Sequence, residues 1–155
     1  MIKIKTLIGT IVAVGALVAL GSPAAEAAPP EPFTITETID GIGRDFTFTA
    51  TGTLCPTGTF EDVVESIGGN PDKTGKLNIL VRTVYTCDDG SGAFNAQKHF
   101  FITVNEDGSI TNTGPVALHD GTGDYTGLSG HGTLIGGTDA DLQGVGNISG
   151  VLRLG

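Results

Sequence analysis

The side chains best suited to chemistry lie in one stretch, His119 to Leu134, HDGTGDYTGLSGHGTL. Gly121-Thr122-Gly123 opens like a dinucleotide-binding loop, but Thr126 stands where the third glycine belongs, and the phosphate-loop lysine is missing. Asp120 and Asp124 flank the glycines and would repel a phosphate. Ser129 and His131 are two apart, so on a strand they share a face, yet no G-x-S-x-G elbow surrounds the serine. His99, His119 and His131 follow no ligand spacing, although separate strands could bring them together inside a barrel. Gly136 to Leu142, GGTDADL, has an aspartate where a calcium nonapeptide repeat wants one, but Asp139 replaces a glycine and no second copy stacks on it. Asn147-Ile148-Ser149 is a formal glycosylation sequon. These readings assign no catalytic residue, metal site or cofactor.

The elements that must position such residues are strands. In Phe46-Thr47-Phe48-Thr49-Ala50-Thr51 apolar residues alternate with threonines, the period of a half-buried strand. From Phe94 the positions Phe94, Ala96, Phe100, Ile102 and Val104 share a face interrupted only by Lys98, and Phe101 is the apolar exception opposite. Phe60 to Ile67 fits two helical turns or a strand equally well. Asn70-Pro71-Asp72, Asp88-Asp89-Gly90, Glu106-Asp107-Gly108 and Asp120-Gly121 carry turn chemistry. The pattern predicts eight strands, near 33–39, 45–54, 58–67, 76–87, 93–105, 109–118, 124–136 and 142–154. Eight strands joined by short turns form an antiparallel meander, which closes into a barrel to remove its edges; a β-sandwich is the alternative.

Lys3, Lys5, the apolar run Leu7 to Leu20 and Ala25-Glu26-Ala27 have the layout of a cleavable secretory signal over 1–27. The run is shorter than the roughly 20 apolar residues that a membrane-spanning helix needs. Residues 28–32 read as a short proline-rich lead-in, and 33–155 as one β-barrel domain. Removing Lys3, Lys5 and Glu26 from 8 basic and 17 acidic residues leaves 6 and 16, a net charge of −10. Such a chain repels nucleic acid and anionic lipid, so neither nucleic acid nor, after cleavage, a membrane is expected as a partner. Cys55 and Cys87 are the only cysteines; in an exported chain an isolated pair predicts a disulfide.

Gly121-Thr122-Gly123-Asp124-Tyr125-Thr126-Gly127-Leu128-Ser129-Gly130-His131-Gly132 resembles the G-T-G-x-[FY]-x-G-x-x-G-x-G signature of allene oxide cyclase-like and dirigent-like barrels. It is also similar to that of small secreted bacterial proteins with the same two cysteines. Thr51 to Cys55, TGTLC, and Thr86 to Gly90, TCDDG, extend the likeness. The resemblance implies a strand end, a turn and the next strand of an eight-stranded barrel, with Tyr125 packing inside. The arginine that dirigent proteins place in this motif aligns with Ser129, so their radical-coupling role does not carry over. Allene oxide cyclases hold an unsaturated epoxide in an apolar cavity, and their polar groups match no positions here.

The expected function is that of a secreted structural or surface-interaction protein. One alternative is a binding module holding a small hydrophobic or aromatic ligand, with Phe46, Phe48, Tyr85 and Phe100 as lumen wall. Another is an allene oxide cyclase-like isomerase using the same cavity. A filled interior favours the first; an apolar cavity with a few convergent polar groups favours the other two. The sequence leaves the oligomeric state open.

Overall fold

The computed structural model describes residues 29–41, 45–70 and 74–155. The expected signal segment lies outside them. Eight antiparallel strands follow one another around a closed barrel: β1 (Glu31–Asp40), β2 (Asp45–Thr51), β3 (Thr57–Asn70), β4 (Lys76–Cys87), β5 (Gly92–Val104), β6 (Ile110–Gly123), β7 (Ser129–Thr138) and β8 (Gln143–Arg153). β1 closes the ring by pairing with β8 along its whole length, from Glu31 opposite Leu152 to Asp40 opposite Gln143.

Alternation decides which residues fill the lumen. Phe33, Ile35 and Glu37 of β1 point inward, as do Phe48 of β2, Val81, Thr83 and Tyr85 of β4, and Phe94, Ala96, Lys98 and Phe100 of β5. Val116, Leu118, Leu134, Ile148 and Leu152 complete the core from β6 to β8. Threonines occupy much of the opposite face of β1 and β2, where Thr34, Thr36 and Thr38 face Thr51, Thr49 and Thr47. β-branched side chains suit that pleated surface, and their hydroxyls face water.

In a meander, successive turns alternate between the two ends, and here the ends differ. At the base, Leu54, Cys55, Cys87, Tyr125 and Leu128 are all buried and plug the barrel. The Cys55 and Cys87 sulfurs stand 2.02 Å apart, at bonding distance, with their Cα atoms 5.9 Å apart. At the mouth, Ile39, Phe46, Ile79 and Ile102 are only partly buried.

β2 ends at Thr51 rather than at 54, β3 runs to Asn70 rather than to 67, and three further departures bear on the ends of the barrel. β1 starts at Glu31 and so takes in two residues of the supposed lead-in. Residues 124–128 form the β6–β7 turn rather than the start of a strand; Gly127 supplies the left-handed step there, at φ +76°, and β7 begins at Ser129. Asp120-Gly121 is not a turn. The register with β5 slips between Phe94 and Asn95, which leaves Asp120 as the extra residue of a β-bulge, at φ +48°. Phe60 to Ile67, ambiguous by periodicity, is strand.

Candidate functional site

The four aromatic residues expected to line the lumen point into the barrel, where rings pack on one another. The Phe48 ring meets the Tyr85 ring edge-on at 5.1 Å, and Tyr85 stacks on Phe94 at 4.8 Å. Phe94 in turn packs on Tyr125 at 5.3 Å, carrying the ring column down to the base. Phe48 and Tyr85 are therefore packed core. Phe46 and Phe100 lie nearer the mouth, Phe46 half-buried against Phe60 at 5.5 Å between ring centres.

Above this column the lumen turns polar. Lys98 is fully enclosed, and its Nζ donates to Glu37 Oε1, which also accepts the Tyr85 hydroxyl. The Lys98 Nζ lies 3.6 Å from an Asp62 oxygen and 5.1, 5.3 and 5.8 Å from the ring centres of Phe60, Tyr85 and Phe100. Thr83, also buried, donates to Asp62 at 2.5 Å. Burial, and then the Glu37 carboxylate, hold the Tyr85 phenol well above its usual range, so it stays a proton donor. One ammonium thus faces two carboxylates. Glu37 is sealed in, whereas the Asp62 side chain keeps 38% of its surface exposed.

The exposure of Asp62 follows from unequal strand lengths. β2 pairs with β3 only at Thr47–Thr59, Phe48–Gly58 and Thr49–Thr57, then ends at Asp45. β3 runs on to Asn70 with β4 as its partner, so its other edge is not covered by β2. Along this free length Asp62 pairs with Thr83, Val64 with Val81 and Ile67 with Ile79. Those β4 partners face the lumen, so these β3 side chains lie on the same inner face. The bulge at Glu65 keeps Ile67 there by absorbing one residue between Val64 and Ser66. Val64 and Ile67 are nonetheless 54% and 65% exposed, because no β2 side chain lies beside them.

Two further polar atoms lie on inward-facing strand positions toward this end. Asn112 Oδ1 and Thr138 Oγ1 are buried without a hydrogen-bond partner among the described residues. Asn112 Oδ1 lies where a side chain on Gly136 would stand, 3.0 Å from an ideal Cβ, and Glu37 Oε2 bears the same relation to Gly146. Gly136 and Gly146 are cross-strand partners. These two glycines make room for polar side chains of neighbouring strands inside the barrel.

The histidines do not converge. His99 bonds Asn78 and packs on Phe101 on the outer face, His119 bonds Asp120 at 3.0 Å, and His131 is exposed on β7. Ser129 is likewise exposed. Asp139 Oδ1 accepts the backbone N–H groups of Asp141 and Gln143 at 3.0 and 2.9 Å, holding its own turn. Among the described residues no group of three His, Cys, Asp or Glu side chains is placed to hold a metal ion.

The sequence reading missed Glu37, Asp62 and Thr83 as lumen polar groups, and saw Lys98 only as a break in an apolar face. The available signal was parity: Glu37 falls in step with Phe33, Ile35 and Ile39, and Lys98 with Ala96 and Phe100.

No protein-family model, no curated protein and no solved structure matches this chain.

Proposed function

We propose that this is an exported binding module that takes a small molecule with an apolar body into the mouth of its barrel. The observation that carries the reading is the pair Val64 and Ile67, apolar, on the lumen side and half or more exposed, above a floor where Asp62 reaches solvent. A few polar groups beneath an apolar wall are the usual composition of a small-molecule site. The rim adds Leu142, which is 49% exposed and held at φ +62°. A leucine kept in that unfavourable region at a site's edge is better explained by use than by stability.

A barrel serving only as scaffold would gain as much from an apolar interior, since a buried ion pair is commonly no more stabilising than well-packed hydrocarbon. That argument favours binding over the structural reading. The export signal supports an extracellular setting, where an acidic surface aids solubility.

Titration with the neutral apolar dye Nile red tests this on the mature chain, residues 28–155. Saturable fluorescence enhancement at one dye per chain is expected, and Val64→Asp with Ile67→Asp should abolish it while leaving the circular dichroism unchanged. Absence of saturable enhancement, or equal enhancement in the double variant, would overturn the reading.

A further inference from the structure

We infer that the ligand of this mouth is an organic cation, an alkyl- or arylammonium with N–H donors, rather than a fatty or aromatic acid. The inference rests on the binding role proposed above and adds the charge of the occupant.

The floor is unbalanced in charge. Among the described residues that meet there, Glu37 and Asp62 contribute two carboxylates against the single ammonium of Lys98. The imbalance also has a direction. Lys98 is completely enclosed, its donors turned toward Glu37 and its charge covered by the rings of Phe60, Tyr85 and Phe100. An incoming molecule therefore meets Asp62 rather than Lys98. Partly shielded from water and lying beside low-dielectric aromatic walls, that carboxylate attracts a cation more strongly than a surface carboxylate does.

The hydrogen-bonding inventory points the same way. Thr83 supplies one bond to Asp62, which leaves acceptor capacity on a group that can only accept when ionised. Asn112 Oδ1 is an acceptor without a donor, and the Thr138 hydroxyl can accept as well. A carboxylate ligand would bring further acceptors and a like charge to this end. An ammonium brings donors and the opposite charge, and the half-buried Phe46 beside Phe60 offers aromatic surface to its first carbons. The net charge of −10 on the mature chain would also raise the local concentration of cations around it.

Three ligands of equal chain length separate charge from hydrophobicity: decylammonium, decanol and decanoate, each titrated by calorimetry into the mature chain. Decylammonium should bind roughly tenfold or more tightly than decanoate, with decanol between them. Asp62→Asn keeps the size of the side chain and an oxygen for Thr83 while removing the charge. At about 0.15 M salt, where the distant surface charges are screened, it should bring the ammonium-to-carboxylate ratio close to one and leave decanol affinity unchanged. Decanoate binding as tightly as decylammonium would overturn the inference, and so would a preference that survives Asp62→Asn. Either result leaves the Nile red outcome untouched, so the failure of the charge argument is distinguishable from failure of the mouth as a binding site.

Discussion

Lys98 of β5 and Glu37 of β1, 61 positions apart in sequence, close on each other inside the barrel, and Tyr85 donates to the same carboxylate oxygen. Neither partner has water to turn to. Lys98 has a second carboxylate in Asp62, but Glu37 has no second cation among the described residues, so removing Lys98 strands a buried charge, a loss far larger than the net worth of the pair.

Lys98→Met should thus lower the stability to urea unfolding by about 3–5 kcal/mol, since Glu37 keeps only the Tyr85 hydroxyl. Replacing the buried hydrogen-bonded set together, Lys98→Met with Glu37→Leu and Tyr85→Phe, should recover most of that loss, because it leaves neither a buried charge nor the Tyr85 hydroxyl without a partner. A triple variant as unstable as the single one would show that the cost arises from packing around Lys98 rather than from the orphaned carboxylate.

The Tyr85 phenol sets an alkaline limit. Its proton is held well above the ordinary value of 10.0, chiefly by burial and then by Glu37. In the unfolded chain the phenol ionises near the ordinary value, so above that pH the unfolded state binds fewer protons than the folded one. Stability is then level below about pH 10 on this account and falls as the pH rises further. Titrating tyrosinate absorbance in a Tyr125→Phe background should show Tyr85 ionising only as the fold is lost. Tyr85→Phe should flatten the alkaline decline while costing about 1–3 kcal/mol at neutral pH, through the donor that Glu37 loses.

The β7–β8 turn offers a gain in stability at the expense of the mouth. Leu142 sits in left-handed backbone, with its N–H bonded to Asp139 O at 3.1 Å. Leu142→Gly relieves a conformation that costs an L-residue about 1–2 kcal/mol, so thermal unfolding should move to higher temperature. The same change removes an exposed apolar side chain from the rim, and Nile red affinity should fall. A stabilised variant that binds dye as tightly as before would remove Leu142 from the site.

How much of this was legible beforehand depends on which physical signal each feature uses. The alternation in Phe46 to Thr51 and from Phe94 onward marks strands because one face is wet and the other dry, and that local fact carries through to the closed ring. Asp120-Gly121 misleads because the residues that make turns also make bulges; only the partner strand distinguishes them, and here β5 slips by one residue opposite Asp120. Phe48 and Tyr85 point inward by the parity of their own strands, but their mutual packing at 5.1 Å depends on register between strands far apart in sequence. The exposed inner face of β3 was out of reach for a further reason. It arises where β2 stops at Asp45 while β3 continues to Asn70, and no single strand's pattern records the length of its neighbour.

The Cys55–Cys87 pair gives the last prediction. It joins the β2–β3 connection to the end of β4, at the base and on the far side of the ring column from Asp62. Bonded, it closes a loop over a sequence separation of 32 residues, worth about 3–4 kcal/mol on the chain-entropy argument. Both sulfurs are buried beside Leu54, so the paired change Cys55→Ala with Cys87→Ala should lower stability by about that amount without altering the strand signal in circular dichroism. Because the mouth is built from β3 beyond Phe60, the ammonium preference should survive in the molecules that remain folded. A loss of that preference at temperatures where the variant is fully folded would mean that base and mouth are coupled through the aromatic column.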